Sequence, residues 1–230
     1  MAPKIVILTG AGISAESGLG TFRDKDGIWT KHRIEDVATP EAFARNPLLV
    51  QEFYNARRAQ AAEARPNPAH AALAELQRAH PGEVVIVTQN VDGLHEAAGA
   101  EVLHMHGALA GALCGACDHR WEAPAAMGAE EPCPACHRPA ARPDVVWFGE
   151  MPYYMEEILD HLLSADLFVA IGTSGNVYPA AGFVEEARVA GIETLEINLE
   201  ATEASALFDR TLTGPASEAV PDWVAGLLRG

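Results

Sequence analysis

Two neighbouring stretches carry residue types that could do chemistry at short range. CGAC (114–117) and CPAC (133–136) hold all four cysteines of the chain, with fifteen residues between the two knuckles. That spacing suits one tetrahedral ion bound by Cys114, Cys117, Cys133 and Cys136, a closed and therefore structural zinc site. A redox dithiol pair is the competing reading. Just upstream, HMHG (104–107) sets His104 and His106 one residue apart. Ligation, core packing and proton handling are all open to a histidine in such a place. Four sulfurs already complete a zinc shell, so ligation is the reading that falls away.

A third stretch, VILTGAGISAESG, puts Gly10 and Gly12 directly after an apolar run and before a helix start. Glycines there let backbone approach a pyrophosphate, whose charge a helix N-terminus favours. The usual dinucleotide fingerprint also wants an acidic residue at the end of a second strand, roughly 20 residues on. TFRDKDGIWTKHR occupies that place and does not read as a strand, which disfavours a redox dehydrogenase. Polar groups instead end other apolar runs: Thr173 and Ser174 after AIG, and Asn198 and Glu200 after IETLEI.

These residues need a scaffold. KIVILT (4–9), EVVIVT (83–88), DLFVAI (166–171) and IETLEIN (192–198) are short, apolar and β-branched, the pattern of strands buried on both faces. Helical segments lie between them. Thr39, Asn46 and Asn67 each precede a proline, the signature of a capped helix start, and AAGFVEEARVAG ends at Gly191 before a strand. The alternation predicts an α/β fold with a doubly wound parallel sheet. Residues 31–79, rich in helix signals, and 109–143, rich in Cys, Pro and Gly, break the alternation. Both read as parts of one small domain inserted into a Rossmann-like domain made of 1–30, 80–108 and 144–230.

Composition excludes several roles. The chain has 230 residues, 49% of them hydrophobic, and a formal charge of −16, which argues against nucleic acid as a partner. The apolar run at the N-terminus is short for a signal sequence, and no stretch reaches the roughly 18 apolar residues of a membrane span. A cytoplasmic monomer is the expectation.

Taken in order, GAGISAESGLGTFRD, TQNVDGLH, HMHGAL, the paired CxxC knuckles, VVWFGE, IGTS and INLE resemble the sirtuins, NAD-dependent protein-lysine deacylases, over almost the whole chain. The subgroup most similar is the bacterial class III type. The resemblance implies NAD as co-substrate in a cleft between the two domains, one structural zinc ion, and acyl-lysine proteins or peptides as substrates. It implies NAD contacts from Gly10, Ala11, Gly12, Ser14, Phe22, Arg23, Gln89, Asn90, Asp92, Gly172, Thr173, Ser174, Asn198, Leu199, Glu200 and Ala216. The histidine before glycine, His106, is then the base, with Asn90 and Asp92 beside the reacting ribose. Val146 and Phe148 line the acyl-lysine tunnel, where backbone pairs with the substrate by strand addition.

In QEFYNARRAQ, Tyr54 and Arg57 share a helical face. The resemblance assigns such a pair to the distal carboxylate of succinyl- or malonyl-lysine, for which a guanidinium fork is well shaped. Arg58, about 100° round the helix, reads as a surface arginine. Products would be free lysine, nicotinamide and acyl-ADP-ribose, and acetyl-lysine would also enter. Transfer of ADP-ribose to proteins, or a non-enzymatic zinc-dependent interaction module, are the alternatives.

Overall fold

The computed structural model describes residues 2–20 and 33–229. Its main sheet is parallel and six-stranded, in the order β3-β2-β1-β7-β8-β9. The strands are β1 (Ile5–Thr9), β2 (Val84–Thr88), β3 (Val102–His104), β7 (Leu167–Ile171), β8 (Glu193–Asn198) and β9 (Arg210–Thr213). The four apolar runs form β1, β2, β7 and β8 as their composition predicts. The edge strands β3 and β9 are short and only partly buried, so neither carries the both-faces apolar signature.

Because side chains alternate along a strand, each central strand feeds two cores. Ile5, Ile7, Ile86, Val169 and Leu195 point to one face, where α5 (Pro68–Ala79) and α9 (Ala216–Arg229) cover them. Val6, Leu8, Val87, Phe168 and Ala170 point to the other, against α7 (Met155–Leu163) and α8 (Phe183–Val189). Each buried Val, Leu, Ile or Phe among them contributes about 1.5–3 kcal/mol. Strand order reverses between β1 and β7, and the carboxyl edge at that reversal is where open α/β sheets bind ligands.

The second body joins two sequence segments. α2 (Ile34–Val37), α3 (Pro40–Arg45) and α4 (Pro47–Glu63) pack on a three-stranded antiparallel sheet of β4 (Gly107–Cys114), β5 (Arg120–Glu122) and β6 (Ala141–Val145). Val37, Val50, Phe53 and Tyr54 share a core with Leu109, Val145 and Trp147. Thr39 and Asn46 accept from Ala42 N and Leu49 N, the caps their positions predict. Three long-range bonds fix the seam: Gln51 Nε2 donates to Ala141 O at 2.9 Å, and Asn55 pairs with both backbone groups of Met127.

Two readings change here. The helix α5 falls inside the 31–79 segment, yet its buried face (Ala69, Leu73, Leu76) packs on the large sheet. Its period of apolar residues shows that one face is buried but not against which partner. Arg58 is 9% exposed rather than on the surface; it donates to Leu109 O at 3.2 Å and to Asn55 Oδ1 at 2.7 Å, tying α4 to β4.

Candidate active site

A cleft of about 960 Å³ lies along the carboxyl edge of β1, β2, β7 and β8 and beneath α4. Every described residue implied for NAD or substrate lines it, from Gly10 to Ala216 and including Tyr54, Arg57, Val146 and Phe148. Phe22 and Arg23 lie outside the described residues.

The floor is glycine against glycine. A Cβ on Gly12 would sit 2.7 Å from Gly172 Cα, and Gly172 itself holds φ +62°. Only glycine satisfies both demands. The structure also changes what these glycines do. Gly10 N donates to Ile171 O at 3.0 Å and Gly12 N to Gly172 O at 2.8 Å, so neither N–H is left for a phosphate. Their smallness closes the β1 loop onto the β7 loop, and α1 (Ala11–Ala15) begins directly on that contact.

Polar side chains lace the strand ends together. Asn90 Nδ2 donates both hydrogens, to Gly10 O and to Ser14 Oγ, each at 3.1 Å, and its Oδ1 accepts from no described residue. Ser14 Oγ in turn donates to Asp92 Oδ2 at 3.1 Å, while Asp92 Oδ1 accepts from Leu94 N. Burial raises the Asp92 carboxyl above its ordinary range, although these two bonds pull it down. Gln89 Nε2 donates to Thr173 Oγ1 at 3.2 Å, and Asn198 Nδ2 to Thr173 O at 2.7 Å. Leu199 and Glu200 continue along this edge with their side chains exposed.

His106 sits above this network. Its Nδ1 lies 3.1 Å from Gln89 O. A carbonyl only accepts, so Nδ1 carries the proton and Nε2 keeps a lone pair. Burial holds the pKa of His106 below the ordinary histidine value, against the opposing pull of the Gln89 carbonyl. A neutral imidazole with its basic nitrogen available is the arrangement a general base requires.

Opposite the floor, Tyr54 is 2% exposed, and Trp147 Nε1 donates to its hydroxyl at 3.0 Å. Burial pushes the Tyr54 phenol up to about 12, which keeps it a neutral donor. Arg57 stands one turn on. Its guanidinium pKa is lowered by burial, with Tyr54 and Asp92 opposing. Val146 N donates to His106 O, Phe148 N to Ala38 O and Trp147 N to Glu150 Oε2. Strand addition along 146–148 therefore has no backbone donor there; a substrate strand must use the carbonyls.

Away from the cleft, the four cysteines converge. Cys114 Sγ and Cys136 Sγ are 3.7 Å apart, Cys117 Sγ and Cys133 Sγ 3.8 Å, and all four sulfurs lie within 4.8 Å of one another. Zinc with bonds of about 2.3 Å needs tetrahedral sulfurs about 3.8 Å apart, so the donor set fits it. The two knuckles repeat one backbone design. Asp118 and His137, each just after a second cysteine, take φ +57° and +59°, and their N–H groups donate to Cys114 O and Cys133 O.

A profile described as the Sir2 family matches residues 10–179. The chain is 58% identical over 230 residues to an NAD-dependent protein deacylase of Caulobacter vibrioides, covering 98% of this chain and 97% of that one. The chain belongs to the Sir2 family. A solved Sir2 homologue in complex with NAD superposes on this sirtuin with a TM-score of 0.89 at 39% identity, covering 99% of this chain and 90% of the other. Another Sir2 structure, bound to a myristoylated histone peptide, gives a TM-score of 0.77 at 33% identity, covering 99% and 92%.

Sequence reasoning missed several groups that hold this sirtuin's cleft together. Glu196 is 1% exposed and accepts from Thr202 Oγ1 at 2.8 Å and from Ser205 Oγ, so it shapes the loop that bears Leu199 and Glu200. The faint signal was a lone acid inside an apolar strand. Arg142 and Glu150 pair bidentately at 2.6 and 2.8 Å behind Trp147. Nothing in their spacing marks them.

Proposed function

We propose that this sirtuin removes acyl groups from protein lysines at the expense of NAD, with succinyl and malonyl groups preferred over acetyl. The observation that carries the reading is that one cleft presents neutral His106 on one side and the Tyr54–Arg57 pair on the other. The name of the Caulobacter relative and the NAD and acyl-peptide complexes of the structural neighbours support the deacylase part.

When bound, NAD supplies an anomeric carbon whose nicotinamide leaves as the acyl oxygen of the lysine substrate attaches. The chain's own residues position and protect that exchange. Asn90, both N–H groups spent on Gly10 and Ser14, offers Oδ1 as an acceptor for a co-substrate hydroxyl or amide. Asp92 fixes Ser14 and so fixes Asn90. His106 Nε2 takes the proton from a ribose hydroxyl, and the Gln89 carbonyl stabilises the imidazolium that results. Ala38, Leu109 and Phe148 give the acyl channel apolar walls that exclude water. At its far end Arg57 offers charge-assisted donors and Tyr54 a neutral hydroxyl, the combination that favours a carboxylate.

A net charge of −16 keeps nucleic acid out of this reading, and among the described residues no helix is long and apolar enough to cross a membrane. Acylated proteins, met by a monomer in the cytoplasm, are its substrates. The test compares kcat/KM on succinyl- and acetyl-lysine peptides, with nicotinamide, free lysine and acyl-ADP-ribose as products, for the native enzyme and Arg57→Met. The succinyl peptide is expected to be the better substrate and to suffer more from the substitution. Equal efficiencies that ignore Arg57 would remove the acidic-acyl reading, and NAD label ending on protein would replace deacylation with ADP-ribosyl transfer.

A further inference from the structure

We propose that Trp147 is a positioning residue for acyl-chain specificity: clamped from behind by Arg142 and Glu150, it aims the Tyr54 hydroxyl at the distal carboxylate. The inference rests on the acidic-acyl reading of Tyr54 and Arg57 and adds what orients the tyrosine of that pair.

The chain of contacts runs outward from the cleft. The Trp147 indole N–H donates to Tyr54 Oη at 3.0 Å, the hydroxyl's one hydrogen-bond partner among the described residues. An indole N–H only donates, so it occupies a lone pair on the phenol oxygen and leaves the O–H proton for another acceptor. Tyr54 is 2% exposed and lines the cleft, and the cleft is where that acceptor must come from.

The indole has little freedom of its own. The Arg142 guanidinium lies 3.5 Å from its ring centroid, and Phe43 packs beside it with centroids 5.3 Å apart. Arg142 is held by both oxygens of Glu150 and by Val145 O at 2.8 Å. Glu150 Oε2 also accepts the Trp147 backbone N–H at 2.8 Å, gripping the residue at its other end. Burial would raise the Glu150 carboxyl, but the Arg142 bond and the Trp147 N–H outweigh it, so Glu150 stays ionised. A preorganised donor loses less entropy on meeting its ligand than one that must be ordered. An acetyl group has no distal oxygen to receive the proton, so the device acts on acidic chains alone.

The test is Trp147→Phe, which deletes the N–H while keeping an aromatic ring under Arg142. The ratio of kcat/KM for succinyl over acetyl peptide is expected to fall roughly 2- to 10-fold, the value of one net hydrogen bond. In the Tyr54→Phe background the same substitution should no longer change the ratio, because the hydroxyl it orients is gone. Equal losses on both peptides, or additive effects in the double variant, would overturn the proposal. If Trp147→Phe folds poorly, the native protein answers instead: with its four tryptophans labelled, one indole N–H resonance should move on adding succinyl-lysine peptide and stay when acetyl-lysine peptide is added. A resonance that responds to both peptides or to neither overturns it. Should Arg57→Met change the ratio while Trp147→Phe does not, only the Trp147 inference falls. Should neither matter, the acidic-acyl reading itself has failed.

Discussion

His104 and His106 reach from alternate residues to consecutive carbonyls, Asn90 O at 3.0 Å and Gln89 O at 3.1 Å. Each uses Nδ1, yet the second nitrogen gives them opposite characters. His104 Nε2 meets Glu96 Oε1 at 2.5 Å. Burial works against its charge, but Glu96 outweighs burial and raises its pKa, and both nitrogens face acceptor oxygens. His106 has no such carboxylate, and burial keeps it neutral. One histidine is held at both nitrogens by acceptors that favour its charged form, and the other is left with a free lone pair as a base.

A pH profile follows. His106 must be unprotonated to accept a proton, and its pKa is lowered, so kcat/KM should be flat near pH 7 and fall along an acid limb below the ordinary histidine value. His106→Tyr should cost at least about 100-fold in deacylation, the usual contribution of a general base. It removes one hydrogen bond of about 1 kcal/mol, so the melting temperature should shift by only a few degrees. An acid limb lying above pH 7 would reassign the base.

The glycine contact predicts a different kind of loss. Gly172→Ala places a Cβ 2.5 Å from Ile13 N at φ +62°. Left-handed strain and overpacking together should cost about 2–4 kcal/mol. NAD binding by calorimetry should weaken with it, because the two strand-end loops separate. Gly128→Ala, where a Cβ meets nothing within 4 Å, is the control. Unimpaired binding by Gly172→Ala would show that the loops do not need their close approach.

The contrast between these residues explains what the sequence could and could not reveal. Buried parallel strands announce themselves, because a strand covered on both faces is dominated by apolar residues, and β1, β2 and β7 read that way, as does β8 in spite of its buried Glu196. Caps at Thr39, Asn46 and Asn67 are equally local. The paired knuckles are legible because a zinc shell fixes ligand type and spacing together. Partner choice is not local. Arg58 turns inward to Leu109 O, fifty-one residues on, and the glycine N–H groups serve β7 rather than a ligand. Along an extended segment His104 and His106 would share one side, so their separation waited on the turn that follows β3 and on Glu96, which comes from a different element. The Arg142–Glu150 brace spans only eight residues, but it depends on the chain turning back after β6, which no residue pattern in 142–150 marks.

Zinc removal should reach the cleft through one strand. β4 runs from Gly107, next to the base, to Cys114, the first zinc ligand. Cys133→Ala should abolish stoichiometric zinc by elemental analysis and lower stability by at least several kcal/mol, since structural zinc binding is coupled to folding. Deacylation should fall in parallel, although no cysteine lines the cleft. Full metal content in the variant would refute the four-cysteine site.

Stability should also weaken in mild acid, and the cause is a second pair of histidines. His70 and His95 are 0% and 1% exposed, with ring centroids 4.9 Å apart. Burial lowers His70 to about 4, and burial, helped by the His70 charge, lowers His95 to about 3; Glu96 opposes the shift at His95 and His104 adds to it. Among the described residues His70 Nε2 and His95 Nδ1 have no partner, so a cation at either place has no acceptor. His70 Nδ1 accepts the Asn67 N–H that closes the cap of α5, a bond protonation would break. Both folded pKa values lie below the unfolded value of about 6.5, so below that pH the unfolded chain binds more protons. Stability is complete above pH 6.5 and declines as pH falls toward 4. Two such groups remove about 3 kcal/mol between pH 6.5 and 5 by linkage. Urea unfolding across that range measures it, and His70→Gln should remove roughly half of the slope. A midpoint that stays constant from pH 6.5 to 5 would mean the two rings are not buried together.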